Sequence, residues 1–326
     1  MEKRPISLPN IILMLFLITF WGSSFVVVKA ILGKGLTPIA IATFRFLVAG
    51  CLFVIVLFLY GIKNRNYAIL VERKDVPTLI VLSFSGVTLF FIAQYTGIKM
   101  ANASIASILV CLLSPVLISL FSIYFFKENL TKTQLLGIGS ASVGTLAVIL
   151  GGTPNLEGNL TFLLGGLILL ATPLLWTAYT LLGKNITQKY DSFLIVAYVN
   201  ILGGLFLIPF SLAEGSFQNI LALTSQELLA ILYLASTCSL LGYFIWFYVV
   251  KRSTAAATSS FLFAEPVITV IFAALFVKEE VTPFAMGGGL LIFIGILLIT
   301  TRRRTRLPSN ARVSAGPLQA CDNSVL

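Results

Sequence analysis

The chain contains two copies of one pattern, at residues 102–150 and 253–301, which align at a constant offset of 151 positions. Further upstream, Trp21 matches Trp176 at an offset of 155, so the duplication covers nearly the whole chain. Repeats of this length in a strongly apolar chain indicate a duplicated membrane domain. The matched pairs include Pro115 with Pro266, Val116 with Val267, Phe121 with Phe272, Lys127–Glu128 with Lys278–Glu279, Gly137 with Gly288 and Gly144 with Gly295.

The composition excludes a water-soluble globular protein. Of the 326 residues, 58% are hydrophobic and 10% are charged, whereas soluble domains carry about 25% charged residues. Ten apolar stretches are each close to the roughly 20 residues that a membrane-spanning α-helix needs, about twice the length of a barrel strand. The predicted fold class is therefore an all-α integral membrane protein with ten transmembrane helices. The stretches cover residues 8–31, 38–60, 76–98, 102–126, 133–150, 161–183, 193–213, 227–250, 253–277 and 283–301.

The distribution of Lys and Arg predicts the orientation of these helices. If the N-terminus lies in the cytoplasm, the outer loops hold only Lys34, Lys99 and Lys278. This bias predicts a multi-pass protein of the cell membrane with both termini in the cytoplasm. Each repeat, residues 1–150 and residues 151–301, then contains five spans. Because five is odd, the second repeat is inverted relative to the first, an arrangement that supports alternating access.

Several short motifs carry a resemblance to a known family. They are the run Trp21-Gly22-Ser23-Ser24-Phe25, the pair Arg45-Phe46, the stretch from Ala101 through Pro115 to Lys127-Glu128, and its copy through Glu265-Pro266 to Lys278-Glu279. Their order, spacing and duplication, over about residues 8–301, resemble the ten-helix EamA-domain transporters of the drug/metabolite transporter superfamily. The resemblance implies a basket of ten helices that moves small organic solutes, often by export, across the cytoplasmic membrane.

Two features depart from that family pattern. Lys127 and Lys278 precede the repeated glutamates, at interfacial positions where such sequences often carry glycine. Residues 302–326 form a polar tail that begins with Arg302-Arg303-Arg304. The composition of this tail predicts a disordered basic cytoplasmic segment whose arginines lie near anionic headgroups.

The residue types also restrict the chemistry. The chain has no histidine, its four cysteines show no metal-ligand spacing, and it has no glycine-rich phosphate loop. An aspartyl-type intramembrane protease needs paired aspartates, but Asp75, Asp191 and Asp322 all fall in loops or in the tail. We therefore expect a protein that is not an enzyme, with no metal, no cofactor and no nucleic-acid partner. The expected partners are a small-molecule substrate, the lipid bilayer and, for a coupled transporter, protons; both a monomer and a homo-oligomer remain open.

Glu265 is the only one of twelve carboxylates that falls near the middle of a predicted span. An ionised carboxylate there costs about 2.5–3.5 kcal/mol on insertion scales, and it normally faces a cavity, is paired or is protonated. The position predicts a substrate-binding or coupling residue; the alternative is a protonated carboxyl with a structural role. Pro266, and Ser114–Pro115 at the equivalent place in the fourth span, predict helix breaks, where transporters tend to bind substrates and coupling ions.

Arg45 lies seven residues into the second predicted span and is expected to be the electrostatic partner of Glu265. The alternative is that its side chain extends to the headgroups. Aromatic rings with a few polar groups suit an apolar or zwitterionic solute and allow cation–π contacts to an amine, although most aromatic residues in such a chain face lipid or neighbouring helices. The other predicted substrate-binding residues are Trp21, Ser24, Ser114, Trp176, Tyr179, Asn200, Tyr243 and Trp246.

Two transport hypotheses follow from these residues. In the first, a secondary active transporter exports small organic metabolites, such as amino acids or related amphiphilic or cationic solutes, by alternating access, and Glu265 exchanges a proton for the substrate. In the second, the same fold is an uncoupled facilitator or exchanger and Glu265 is structural. Proton movement linked to substrate flux distinguishes the two hypotheses.

Overall fold

The computed structural model describes residues 6–32, 34–63, 70–100, 103–126, 131–150, 160–277 and 283–300. The secondary structure in these ranges is helical, and no strand occurs in them. The predicted cytoplasmic tail, residues 302–326, lies outside the described residues, as do the repeated pairs Lys127–Glu128 and Lys278–Glu279.

The helices follow the predicted apolar stretches. The stretches at 8–31 and 38–60 form the single helices α1 and α2, whereas those at 76–98, 227–250 and 253–277 are each divided by a segment of another helical type. The α-helices are α1 Leu8–Leu32, α2 Pro38–Lys63, α3 Val76–Ser83, α4 Phe90–Met100, α5 Ala103–Phe126, α6 Lys132–Leu150, α7 Leu160–Lys189, α8 Ser192–Ala213, α9 Ser225–Tyr233, α10 Gly242–Arg252, α11 Ala255–Ser259, α12 Glu265–Val277 and α13 Pro283–Thr300.

Two π-helical segments interrupt corresponding stretches of the chain. Phe84–Leu89 joins α3 to α4, and Leu234–Leu241 joins α9 to α10. The two segments begin 150 positions apart, close to the offset of the sequence repeat. A π-helical turn changes which side chains face a neighbouring helix and is frequent at functional sites. A third interruption, the 3-10 segment Ser260–Ala264, lies between α11 and α12.

Within the described residues, seven helical runs are long and apolar enough to cross a membrane. Between 44% and 50% of the most apolar window in each run is buried inside the protein, so the other side of each run presents apolar side chains outward. Together these features describe an all-helical, multi-pass membrane protein. The runs are Leu8–Leu32, Pro38–Lys63, Arg73–Met100, Leu164–Lys189, Ser192–Ala213, Ser225–Arg252 and Ala255–Phe276.

Helices α6 and α13 pack closely because glycines face each other across the contact. A Cβ atom placed on Gly137 would lie 2.7 Å from the carbonyl oxygen of Gly295, and one placed on Gly144 would lie 2.5 Å from that of Gly288. Residue numbers rise along one helix as they fall along the other, so the helices are antiparallel. Small residues permit this close backbone approach, which larger side chains would prevent.

An ion cluster joins the start of the α3 run to the ends of α7 and α10. The Lys189 ammonium lies 2.9 Å from the Glu72 carboxylate and 2.5 Å from that of Asp75. The Tyr190 hydroxyl donates a hydrogen bond to Asp75 at 2.6 Å, and Lys251 donates to the carbonyl oxygen of Tyr190 at 2.9 Å. The cluster therefore fastens three helix ends to one another.

A related contact lies at the opposite end of the molecule. Helix α8 begins next to the ion cluster and runs from it toward that opposite end. Lys34, just after α1, donates a hydrogen bond to the side-chain oxygen of Gln226 in α9. Lys34 and Lys189 are 155 positions apart, and Asp75 and Gln226 are 151 positions apart, which are the two offsets of the repeat. The two ends thus hold repeat-equivalent contacts, one with a carboxylate acceptor and one with a neutral amide.

Candidate functional site

A cavity with an empty volume of about 400 Å³ opens between α1, α2, α4, α5, α7, α10 and α12. Six of the predicted substrate-binding residues line it: Trp21, Ser24, Arg45, Trp176, Tyr243 and Glu265. The other lining residues are Phe25, Phe90, Phe91, Gln94, Val110 and Leu262.

Glu265 is the first residue of α12 and is 4% exposed. It follows the 3-10 segment directly, and Pro266 is the second residue of α12, where it cannot donate a backbone hydrogen bond to the preceding helical turn. The carboxylate is therefore presented at the start of a helical segment inside a membrane-spanning run, as in the discontinuous helices of transporters.

The equivalent position of the first repeat has a different geometry. Helix α5 continues from Ala103 to Phe126 through Pro115, so the helix break predicted at Pro115 does not occur. The helix loses only the backbone hydrogen bond that a proline nitrogen cannot donate. Ser114 and Asn200 are buried but do not line the cavity. The Ser114 hydroxyl has no hydrogen-bond partner among the described residues, whereas the Asn200 amide donates to the carbonyl oxygen of Val196 at 2.8 Å.

Two neighbours hold Glu265 and its helix in place. The Cys111 thiol of α5 lies beside the Glu265 carboxyl group. One turn further along α12, the Thr269 hydroxyl lies 3.0 Å from the carbonyl oxygens of both Gly22 and Glu265. Glycine is required at this crossing of α1 and α12, because a Cβ on Gly22 would lie 2.8 Å from the side chain of Ile268.

Arg45 is 2% exposed and forms part of the cavity wall on α2. Its Nε donates to the Ser239 hydroxyl at 2.8 Å, and its Nη1 donates to the Tyr95 hydroxyl at 2.6 Å. The guanidinium carbon also lies 4.6 Å from the centre of the Phe91 ring. In the part of the chain that the structure describes, no carboxylate lies within 4.0 Å of this guanidinium. The expected pairing with Glu265 is therefore not a direct ion pair; the two charges share the cavity instead.

Aromatic rings form much of the cavity wall. Trp21 of α1 and Trp176 of α7, which are equivalent in the repeat, meet edge to face with ring centroids 5.3 Å apart. Tyr243 packs against both rings, at 5.8 and 6.0 Å. The Trp21 indole N–H donates to the carbonyl oxygen of Cys238 in the second π-helical segment at 3.0 Å. These rings provide an apolar wall whose faces also attract a cationic group.

Trp246 and Tyr179 form a second layer behind these rings and are not among the lining residues. The Trp246 ring lies 5.6 Å from Trp21 and 5.3 Å from Trp176, and the Tyr179 ring lies 5.3 Å from Trp176. Tyr179 fits because a Cβ on Gly86, in the first π-helical segment, would lie 2.0 Å from its ring. All three tryptophans of the chain consequently belong to one cluster around the cavity.

Four residues that contact Arg45 or Glu265 are absent from the sequence-based prediction: Phe91, Tyr95, Cys111 and Ser239. Phe91 and Tyr95 are one helical turn apart, and this spacing is a signal that could have placed both on one face. Ser239 reaches Arg45 from a π-helical segment, which apolar periodicity does not reveal. Cys111 lies in an apolar run and joins the site only because tertiary packing brings Glu265 next to it.

The chain is similar to known transporters over most of its length. The model of the EamA-like transporter family matches residues 8–150 and 163–301. A protein of Archaeoglobus fulgidus named an uncharacterized transporter is 30% identical over 87% of this chain and 94% of its own. A probable amino-acid metabolite efflux pump of Salmonella typhimurium is 26% identical, with coverages of 93% and 97%. A probable terminal-alkyne amino-acid exporter of Streptantibioticus cattleyicolor is 24% identical, with coverages of 86% and 90%.

A crystal structure of another protein shares the fold, with a TM-score of 0.70 over 89% of this chain and 96% of that one, at 18% identity. The family match covers both apolar halves of the sequence, and the relatives align over most of their own lengths. The names of the family and of these relatives describe transporters and not enzymes. This multi-pass helical protein, with its buried and charged cavity, therefore belongs to the EamA-like transporter family.

Proposed function

We propose that the protein is a secondary active transporter that exports a small zwitterionic metabolite of the amino-acid class in exchange for protons. The observation that carries the proposal is the presence of two opposite charges, Glu265 and Arg45, in one buried cavity. Among the described residues, neither charge has an ionic partner within 4.0 Å. Buried charges inside a membrane are costly and mark the pathways of substrates or ions.

A zwitterion satisfies both of these charges at once. Its carboxylate pairs with the Arg45 guanidinium and its ammonium group pairs with Glu265, while the rings of Trp21, Trp176 and Tyr243 enclose an apolar side chain. A ligand with a single charge leaves the other buried charge unpaired, which weakens binding. Two relatives whose names refer to amino-acid export support the same substrate class.

The architecture we propose has ten spans in two inverted repeats, residues 1–150 and residues 151–301, in the cell membrane with both termini in the cytoplasm. The bias of Lys and Arg toward the proposed inner loops supports this orientation. The odd number of spans in each repeat then makes the second repeat run opposite to the first.

The glycine contacts of α6 and α13 support the inverted relationship. Adding the repeat offset of 151 to Gly137 and Gly144 gives Gly288 and Gly295. Exchange of the two repeats therefore converts the contact of Gly137 with Gly295 into that of Gly288 with Gly144, and both contacts are present. Two antiparallel helices that exchange in this way are related by a twofold axis perpendicular to them, which for membrane-spanning helices lies in the membrane plane.

The contacts at the two ends of the molecule are suited to act as alternating gates. In the proposed orientation, the ion cluster around Lys189 closes the cytoplasmic end, and the contact of Lys34 with Gln226 closes the outer end. Alternating access requires these contacts to open in turn, so that the cavity faces one side at a time. Their repeat-equivalent positions support a symmetric exchange of roles.

Glu265 provides the coupling step of the proposed cycle. On the outward passage the ionised carboxylate pairs with the ammonium group of the substrate, and on the return passage it carries one proton, which it releases in the cytoplasm. The Glu265 charge is neutralised in both passages, so the ionised, unpaired carboxylate does not cross. The Arg45 charge stays in the cavity wall throughout, where the Tyr95 and Ser239 hydroxyls and the Phe91 ring stabilise it. One proton then enters for each substrate molecule that leaves.

Proton-linked flux in liposomes tests the proposal. Native protein, Glu265→Gln and the control Glu214→Gln are reconstituted with a lumenal pH dye, and radiolabelled phenylalanine is added. Glu214 lies at the end of α8 and accepts a hydrogen bond from Thr37 at 2.7 Å, remote from the cavity lining. We expect substrate-dependent proton movement in the native protein and in the control, and its loss in Glu265→Gln.

Two other outcomes decide against parts of the proposal. Phenylalanine flux without proton movement, unchanged in Glu265→Gln, establishes the uncoupled facilitator, in which Glu265 has a structural role through its contact with Cys111. Absence of flux for phenylalanine and for a panel of other neutral amino acids refutes the zwitterionic substrate class.

A further inference from the structure

The Arg45 guanidinium is held by more contacts than a positive charge in the cavity wall would require. Its guanidinium donates to two hydroxyl groups, those of Tyr95 at 2.6 Å and Ser239 at 2.8 Å, and it lies over the Phe91 ring. None of these neighbours carries a compensating negative charge. A guanidinium held this way has a fixed orientation, and the described part of the chain places no carboxylate within 4.0 Å of it.

We propose that Tyr95 and Ser239 are positioning residues that hold the Arg45 guanidinium as a carboxylate subsite and so determine the selectivity for substrates with a carboxylate. The inference rests on the proposed function, because it assigns the selectivity of the same cavity. The two hydroxyls contact Arg45 and are not themselves among the residues that line the cavity.

The donor groups of Arg45 leave room for this ligand. An arginine side chain has five N–H donors in one plane. The two hydroxyls accept one hydrogen bond each, from Nε and from Nη1, and three donors are not engaged by either hydroxyl. Planar N–H groups of this kind bind a carboxylate with two parallel hydrogen bonds, which depend on the orientation of the guanidinium plane.

Both positioning residues are themselves held firmly. Tyr95 is 2% exposed, and its ring packs edge to face against Phe91 at 5.3 Å. Ser239 is fully buried and belongs to the π-helical segment between α9 and α10. The first hydroxyl comes from the first repeat and the second from the second repeat, so the orientation of Arg45 depends on how the two repeats are packed.

Loss of the hydroxyls would release a long and flexible side chain. An arginine stem can move its charge by several ångströms toward a more polar region when nothing holds it. The positive charge would then remain in the protein, but its N–H groups would no longer be oriented toward the cavity. We therefore expect the selectivity for carboxylates to decrease while the contacts of the aromatic wall persist.

The test measures ligand binding by intrinsic fluorescence, since all three tryptophans lie in the cluster around the cavity. The ligands are phenylalanine, phenylalaninamide, which lacks the carboxylate, and N-acetylphenylalanine, which lacks the ammonium group. The variants are Tyr95→Phe, Ser239→Ala and the double variant. The controls are Ser236→Ala, an exposed hydroxyl of the same π-helical segment that bonds to the carbonyl oxygen of Leu232, and Tyr248→Phe.

For the native protein and both controls we expect phenylalanine to bind more tightly than its amide. Each single variant should raise the Kd for phenylalanine and for N-acetylphenylalanine about tenfold, the loss expected for one hydrogen bond to a charged group. The Kd for phenylalaninamide should stay within about twofold of the native value, which shows that the cavity is intact. The double variant should bind the acid and the amide about equally.

The binding results distinguish failure of this inference from failure of the proposed function. If the variants keep the native preference for phenylalanine over its amide, Tyr95 and Ser239 do not position the subsite. If all ligands weaken equally, the two residues are only structural. If the native protein binds N-acetylphenylalanine but not phenylalanine, the zwitterionic substrate class is wrong and the carboxylate subsite stands. If it binds none of the three, both are refuted.

Discussion

Substitution of Gly22 by alanine tests the close crossing of α1 and α12, on which the position of Glu265 depends. The added methyl group would lie 2.8 Å from two atoms of Ile268 and 3.0 Å from the carbonyl oxygen of Glu265. Carbon atoms prefer separations of about 3.5–4.0 Å, so the helices must separate by about 0.7 Å. Overpacking of this kind costs about 1–3 kcal/mol.

A second loss follows from the same movement. The hydrogen bond from the Thr269 hydroxyl to the carbonyl oxygen of Gly22 is 3.0 Å long, and a separation of about 0.7 Å takes it beyond hydrogen-bonding distance. This adds about 0.5–1.5 kcal/mol, for a total of about 1.5–4.5 kcal/mol when the two effects are combined. Ile268→Ala relieves only one of the three close contacts, so it should restore stability only in part.

The assay is thermal unfolding in detergent or lipid nanodiscs, with Gly287→Ala as the control. A Cβ on Gly287 has no neighbour within 4 Å, and both variants gain the same helix propensity of about 0.8–1 kcal/mol, which cancels in the comparison. At about 2–4 °C per kcal/mol, Gly22→Ala should have a Tm about 3–18 °C below that of Gly287→Ala. Equal Tm values for the two variants would refute the proposed tight crossing, and with it the reason for glycine at this position.

Three further predictions concern the repeat and its gates. Gly137→Ala and Gly295→Ala act on the same helix crossing, so each should lower the Tm by a similar amount and the double variant by less than their sum; additive losses in thermal unfolding would contradict this. Lys189→Gln removes the ion pairs of the proposed inner gate, and Gln226→Glu adds an ion pair beside Lys34 at the proposed outer gate. Both variants should therefore make a cysteine placed in the cavity wall react faster with a reagent on the cytoplasmic side. Unchanged labelling rates in both variants would exclude gating by these contacts. Hydrogen bonds from Lys74 and Lys189 hold the pKa of the Glu72 carboxyl below its usual range. The contribution of Glu72 to the ion cluster is therefore present at neutral pH and is lost only as the pH falls through that lowered pKa. In the same labelling assay, Glu72→Gln should differ from native protein at about pH 7 and should match it in acid.

The helical, membrane-embedded character of the fold could be predicted from the sequence because each apolar stretch is long enough to cross a bilayer and few charges interrupt it. The π-helical segments could not be predicted, since Phe84–Leu89 and Leu234–Leu241 have the same apolar composition as the α-helices around them. Their effect is visible only in the packing, where Gly86 accommodates the Tyr179 ring.

The site was predictable to the extent that it depends on residues that are costly in a membrane. Glu265 and Arg45 stand out by charge, and Trp21 and Trp176 stand out by their equivalence in the repeat; all four line the cavity. Their partners do not stand out, because a tyrosine such as Tyr95 has many other uses in an apolar helix. Asn200 was predicted to bind substrate but does not line the cavity. The sequence indicates that its amide is buried, but it does not indicate which neighbouring group the amide faces.

The crossing of α6 and α13 has one further property, which concerns how such a protein arises. The Ser140 hydroxyl donates to the carbonyl oxygen of Leu291, which is its own counterpart at the offset of 151, at 3.0 Å. A surface that binds its own counterpart is isologous, like the interface of a symmetric homodimer. In the proposed inverted architecture, two separate copies of a five-helix ancestor, inserted in opposite directions, could make this contact before any gene fusion. The two halves of the present protein, produced as separate chains, should accordingly retain enough affinity to reassemble.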